Sequence, residues 1–461
     1  MLANALIRKR VRLPRYARND SFKYIMKNII ATLALSFLIG LTALAQQPTA
    51  NFITTDIDNF WTAYDKITST KDSATQYNYI NQLFIAKGTP GLKAMMQARR
   101  YTAKSYIDAI NQYPLFWTSL KPNTLKAKNY AADIAVNVSK LKALYPELKP
   151  SKIYFTIGAF RSGGTILDGM VLIGSEIALA NEHTVTTEFP QDLNNLKEVF
   201  KSNSPQKIVF NNVHEYVHTQ QKTTIGNYLL AQTVLEGVAE FVTEKATKQT
   251  SSLPAIAYGM LHAEKVKQAF VLQMFNLGEG YWLYSNDENE FGVRDLGYYV
   301  GYAICQKYYN QAKNKKQAVK AMIELDYNND AALMNFVNQS GYFSKPVQVY
   351  KDNYESRRPV VTGIKQFKNN ATNVDASISL ITIEFSTVMD KQNRNFELGP
   401  LGMEHLLKVK SVKGFSDDGR SLTFEVDMKP GTRYQLTIGE GFRSQTGVRL
   451  KPYLINLETK P

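Results

Sequence analysis

Apolar positions along this chain keep two periods, and the switches between them divide it into regions. Val209, Val213 and Val217 recur every four residues, a single apolar stripe on a helix. Ser204-Pro205 stands just ahead, a hydroxyl cap followed by a proline suited to a first turn. A second helix is expected over residues 228–246, with Leu230, Val234, Val238, Phe241 and Val242 on its apolar face. Residues 55–148 also read as mostly helical. Their aromatic residues (Phe60, Trp61, Tyr64, Tyr77, Phe84, Phe116, Trp117) return at helical intervals, which suits core packing better than sugar stacking. Between these regions the period shortens. Residues 152–157 and 170–174 are β-rich and flank a turn at Ser162-Gly163-Gly164-Thr165, so they read as a hairpin-like pair.

Beyond residue 359 the pattern becomes β throughout. Strands are expected at 379–385, 422–426 and 434–438, with turns at Asp417-Asp418-Gly419-Arg420 and Pro430-Gly431-Thr432. Val360, Ile364 and Phe367 fit a first strand, and the linker falls near 355–359. Short strands with turn signals at such intervals describe a β-sandwich. The fold class is therefore α+β: a mainly helical domain with a small sheet over 46–355, then a sandwich over 359–461.

Composition changes the picture at the start of the chain. Met26-Lys27-Asn28, an apolar run from Ile29 to Leu41, and Ala43-Leu44-Ala45 before Gln46 read as a secretory signal cut after Ala45. The run is short for a stable membrane span. Residues 1–25 carry seven Lys/Arg and one Asp; they are an over-long start whose true beginning is Met26, or an extended n-region. The net charge of +15 includes +7 from residues 1–45, leaving +8 for the remainder. That mild bias, with no basic-aromatic pattern, argues against nucleic-acid binding. Cys305 is the one cysteine, so there is neither a disulfide framework nor a lipidated N-terminal cysteine. An exported, periplasmic or secreted protein without an integral membrane segment is expected.

The chemistry lies on the two helices. His214-Glu215-Tyr216-Val217-His218 reads H-E-x-x-H, which directs two imidazoles one turn apart at one metal ion and sets a carboxylate beside them. Chance is a poor explanation, because two of only five histidines fall in the motif. Seventeen residues later, Leu235-Glu236-Gly237-Val238-Ala239-Glu240-Phe241 offers glutamates from the second helix. Zinc in a catalytic site takes three protein ligands and leaves a fourth position to water, so one such glutamate completes the set.

Together, H-E-x-x-H and E-G-x-A resemble the gluzincin metallopeptidases. The resemblance implies zinc held by His214, His218 and Glu236, with Glu215 as general base. It also implies that Glu240 holds a ligating histidine by its free ring nitrogen; the spacing is shorter than in the best-known members, and exchanged roles for Glu236 and Glu240 stay open. The run from Tyr145 to Glu240 is similar to a bacterial family of predicted zinc-dependent proteases, in a Bacteroidota branch that includes relatives of a gliding-motility lipoprotein. That likeness covers roughly 55–350. It implies that an edge strand of the upstream sheet receives an extended peptide by backbone pairing. In the tail, I-E-F-S-T-V-M-D, D-G-R-S-L-T-F and P-G-T-R-Y-Q-L-T-I look like a bacterial Ig-like domain of the surface-layer type, implying a spacer or docking surface.

An oxyanion donor should come from the Arg294-Asp295-Leu296-Gly297-Tyr298-Tyr299-Val300-Gly301-Tyr302 segment. Tyr298 and Tyr299 are the leading candidates, followed by Tyr302 and Arg294. Glu176 is a candidate substrate-binding or structural carboxylate, and His262 reads as structural. The expected activity is peptide-bond hydrolysis on a peptide or protein. Two other readings share these residues: a non-catalytic exported binding scaffold, and a zinc hydrolase of cell-wall amide bonds.

Overall fold

The computed structural model describes residues 51–222, 228–278, 280–285 and 288–461; the expected signal segment lies outside them. The architecture is α+β, with two apolar cores. No described helix is long and apolar enough to cross a membrane.

The first core opens with a helical layer that begins at Thr55–Thr68 and closes with Ala131–Leu144. Local capping sets its boundaries. The Asp72 carboxylate accepts from the Thr75 amide, the Thr89 hydroxyl from Leu92, and Thr102 with Ser105 forms a reciprocal box. Phe60, Phe84, Phe116 and Trp117 are fully buried, and Trp61 nearly so. Their rings meet edge-on and tilted at 4.9–5.4 Å, as core aromatics do.

Against this layer lies a four-stranded sheet: β1 (Phe52–Ile53), β2 (Ile153–Thr156), β3 (Gly164–Leu167) and β4 (Met170–Gly174). The order is β1-β2-β4-β3. β2 and β4 run parallel, with Ile153 opposite Val171, whereas β3 and β4 run antiparallel, with Thr165 opposite Leu172. The expected hairpin of 152–157 with 170–174 is therefore corrected. The hairpin is β3–β4, closed by Asp168 and Gly169 at φ 50° and 70°, the two left-handed positions that a tight two-residue turn demands. The earlier S-G-G-T stretch instead carries the chain into β3, which becomes the sheet's outer edge.

The H-E-x-x-H helix spans Pro205–His218, with the Ser204 hydroxyl accepting from the Lys207 amide. It packs on β3, β4, Ala131–Leu144 and the next long helix, Leu229–Thr247. That second helix has no side-chain cap. The carbonyls of Asn276 and Met274 accept its first amides, at 2.9 Å each. The glycine of E-G-x-A serves a third helix, Leu296–Gln311. A Cβ on Gly237 would stand 2.0 Å from the Gly301 carbonyl carbon, and one on Gly301 would stand 1.9 Å from the Thr233 carbonyl oxygen. Only two glycines allow this approach, which fixes the Glu236 turn against a rigid neighbour.

The tail holds two antiparallel sheets around one core. One contains β5 (Val361–Ile364), β6 (Leu380–Phe385), β8 (Val409–Phe415) and β9 (Ser421–Val426) in the order β5-β6-β9-β8. The other orders β11 (Tyr453–Glu458), β10 (Arg433–Ile438) and β7 (Phe396–Glu397) side by side. The expected linker is not a loose one. Helix Val347–Arg357 runs up to it, and the half-buried Arg358 guanidinium donates to Glu440 at 2.6 Å, Glu355 at 3.3 Å and the carbonyls of Arg449 and Leu450. Val448 packs into the first core, and Arg449 donates to the Leu277 carbonyl.

Candidate metal centre

The three atoms of the expected ligand set converge. His214 Nε2 lies 3.0 Å from His218 Nε2, and each lies 3.3 Å from Glu236 Oε2. Three ligands at about 2.0–2.1 Å from one zinc in a tetrahedron stand roughly 3.3 Å apart, so this triangle fits a zinc-sized cation.

The far side of each ligand is pinned. His214 Nδ1 meets Glu240 Oε2 at 2.8 Å, and the other Glu240 oxygen accepts from the Ser251 hydroxyl. His218 Nδ1 meets Gln221 Oε1 at 2.6 Å. Gln221 in turn donates to the Leu235 carbonyl at 3.0 Å and the Tyr327 hydroxyl at 2.9 Å. Acceptors on both Nδ1 atoms place the ring protons there and leave each Nε2 lone pair for a metal. Glu236 Oε1 accepts from Tyr284, so one carboxylate oxygen is left to face the imidazoles. Glu236 thus faces both imidazoles, while Glu240 meets His214 alone, on its far ring nitrogen.

Charge and burial agree with this. Glu236 is 6 % exposed and Glu240 2 %. Burial opposes charge on Glu236, yet the two imidazoles outweigh it and hold its pKa well below the usual carboxylate range. Burial likewise opposes charge on His214, but hydrogen bonds to Glu236 and Glu240 push its pKa well above normal; Glu236 raises that of His218. Metal-free, the cluster holds protons strongly where a divalent ion would take their place.

Glu215 stands one step round the helix. Burial raises its pKa, against the pull of His218, His214 and Arg99. A Cβ on Gly164 would lie 2.7 Å from Glu215 Oε1, so the bare first residue of β3 makes room for this carboxylate. The catalytic candidate, the candidate metal ligands and the edge strand border one cleft of about 580 Å³. Antiparallel pairing turns Thr165 and Leu167 toward β4, leaving the backbone of Gly164 and Ile166 directed outward. The Gly164 carbonyl is taken by the Ser162 hydroxyl.

The aromatic candidates separate. Tyr298 lines the cleft, its ring 6.2 Å from that of His214. Burial, with Glu236 and Tyr284 beside it, pushes its pKa well above the ordinary value, so its hydroxyl remains a donor. Tyr299 is not brought to the site: its buried ring fills the space over Gly259, where a Cβ would lie 2.0 Å away. The adjacent position on a helix faces elsewhere. Tyr302 donates to Glu244 at 2.8 Å, also away from the cleft. Arg294 borders the cleft and pairs with Asp295 at 2.6 Å. His262 is exposed against Tyr258. Glu176 is a structural carboxylate, fully buried and accepting from the Gly158 and Phe160 amides at 2.7 and 3.2 Å.

Sequence reasoning passed over Gln221, Tyr284 and Ser251. Gln221 had a readable signal, since it follows His218 by three residues on the same side. Tyr284 had none; it reaches Glu236 from 48 residues away, out of a non-repeating loop.

No family model and no curated protein matches the chain. Among solved structures it is similar to the crystal structure of the S-layer protein rSbsC(31-844), at a TM-score of 0.18 and 12 % identity. The match covers 91 % of this chain and 46 % of that one, so the chain spans about half that protein's length. A likeness at this score carries no statement about fold or role.

Proposed function

We propose that this protein is an exported zinc metallopeptidase of the gluzincin kind, with an Ig-like tail, acting on peptide or protein substrates. One observation carries the reading: His214 Nε2, His218 Nε2 and Glu236 Oε2 lie mutually 3.0–3.3 Å apart, and Glu215 sits between them and an open strand edge. Zinc in such a site supplies a Lewis acid and a water whose pKa is lowered to about 7. A peptide laid along β3 pairs with the outward backbone of Ile166 and with the Gly164 amide, which brings its carbonyl over Glu215. Glu215 takes the proton of the attacking water and returns it to the leaving amine. Tyr298 donates toward the oxyanion as the carbonyl becomes tetrahedral.

The test pairs zinc content with turnover. About one zinc per chain is expected, with cleavage of a denatured protein that Glu215→Gln slows by about 10²–10⁴-fold while keeping the metal. Full activity in that variant would remove Glu215 from the mechanism. Turnover on peptidoglycan but on no peptide would favour the cell-wall amide reading. Zinc without turnover on either would favour the scaffold.

A further inference from the structure

The cleft wall holds more positive charge than a metal site needs. Arg99, Arg161, Lys222 and Arg294 border it, against the carboxylates of Glu215 and Glu236. Lys222 is paired with Asp326 at 2.8 Å and Arg294 with Asp295. Arg99 and Arg161 form no ion pair among the described residues. Arg99 Nε is buried without a hydrogen-bond partner among the described residues, an arrangement a native protein rarely leaves unused.

Arg161 is held ready rather than spent. Its Nη1 donates to the carbonyls of Arg99 and Arg100 at 2.7 and 2.9 Å, closing the end of helix Pro90–Arg99. Its guanidinium lies 5.4 Å from the Tyr101 ring centre, and its own amide donates to the Tyr101 hydroxyl. These contacts fix the stem and one nitrogen; the remaining N–H groups of the fork have no partner among the described residues. The same segment runs through Ser162 and Gly163 into β3, so both arginines flank the start of the edge strand.

We propose that Arg99 and Arg161 form a carboxylate-binding subsite of this cleft, which selects peptides bearing an acidic group at a fixed distance from the cleaved bond. The proposal rests on the peptidase reading for its substrate and on the arginine geometry for its specificity. Guanidinium N–H groups without a partner among the described residues, Arg99 Nε among them, suit a carboxylate better than any neutral group, because paired N–H donors match its two oxygens. The carboxylate is either an Asp or Glu side chain or the terminal group of the substrate.

The experiment uses the full, zinc-loaded chain and a mixed peptide library, each peptide made with a free and with an amidated C-terminus. Cleavage products should show Asp or Glu enriched at one position, insensitive to amidation, if the side chain is read. Cleavage at one distance from the free end, lost on amidation, identifies the terminal carboxylate. Either preference should fall about 10-fold or more in Arg99→Gln and Arg161→Gln. Arg99→Lys, which keeps charge but not the fork, should recover part of it. Unchanged zinc content and melting temperature check that the variants fold.

Binding is read separately, by fluorescence anisotropy of a Glu-containing peptide and its Gln counterpart, with free and amidated ends, on zinc-loaded Glu215→Gln. Arg-dependent preference for a carboxylate without turnover in the wild type would sink the peptidase reading and sustain the subsite. Equal binding of every form, or a preference that survives both arginine substitutions, overturns the subsite whatever the turnover shows.

Discussion

The two cores of this molecule obey different rules about charge. Around the first, Asp56, Glu176, His214, Glu236 and Glu240 are all buried; around the second, no charged side chain is buried among the described residues. The tail closes on Ile381, Ile383, Leu422, Phe424 and Leu436 with little but backbone pairing to satisfy. A buried charge costs several kcal/mol unless paired and hydrogen-bonded, so a fold carries a cluster only where something holds it. Asp56 and Glu176 are held by backbone amides and a hydroxyl, and they fasten loops. His214 and Glu236 differ, because with His218 they aim at a common point, while Glu240 backs His214 from the far side. The contrast separates structural burial of charge from burial that prepares a site.

The strongest way to sharpen that contrast is Glu215→Gln. Zinc should stay, since Glu215 is not among the three converging atoms, while turnover falls by about 10²–10⁴-fold. Zinc content by atomic emission, beside initial rates, checks both halves. Phe424→Ala probes the other core. That side chain is fully buried with its ring 5.4 Å from Phe396, and its loss should cost about 3–5 kcal/mol, measured by urea unfolding. Zinc per chain should not change under native conditions. If it drops, the tail is part of the metal lobe's support, and the contacts of Val448, Arg449 and Arg358 across the boundary would be the route.

Smaller effects are expected from the groups behind the histidines. Glu240→Gln and Gln221→Ala should each weaken zinc binding by about 10–100-fold, read by competition with a chelating dye. Set beside Glu236→Gln, the first of these also tests the assignment of roles. Loss of zinc in Glu240→Gln with retention in Glu236→Gln would exchange ligand and holder.

These residues differ in how far the sequence announced them. His214, Glu215 and His218 are legible because a helix converts spacing into direction, and Glu236 with Glu240 because they are one turn apart on a second helix. The tail strands were legible from alternation, as at 379–385 against the observed Leu380–Phe385. β8 and β11 were passed over, since Val409–Phe415 carries two register shifts and Tyr453–Glu458 follows a long irregular stretch. The β3–β4 hairpin was missed although Asp168-Gly169 is a strong turn signal; the S-G-G-T stretch competed with it. Tyr284 and the arginine wall depend on tertiary closure of distant segments, which no local period encodes. Tyr299 shows the reverse failure, a plausible residue type turned by one helical position into the core.

The gentlest test concerns a buried carboxyl outside the metal centre. Burial pushes the Glu176 pKa up to about 7, against the hydrogen bonds from Gly158 and Phe160 that favour its charged form. In the unfolded chain it returns to about 4.5. Below that value both states are protonated, and the pair of states contributes no slope. Between pH 4.5 and about 7 the folded state keeps a proton that the unfolded state has released, so raising the pH favours unfolding. The contribution should approach about 1 kcal/mol per pH unit in that window and level off above it. Chelator-treated wild type and Glu176→Gln should therefore differ in the pH dependence of their melting temperatures, with the wild type falling more steeply as pH rises. The variant also pays a constant cost of about 1–3 kcal/mol, because its amide nitrogen must face a backbone N–H that the carboxylate oxygen had accepted. Parallel curves would mean that Glu176 is ionised throughout. In that case the two amides outweigh burial, and the first core holds this charge as firmly as it holds those at the metal centre.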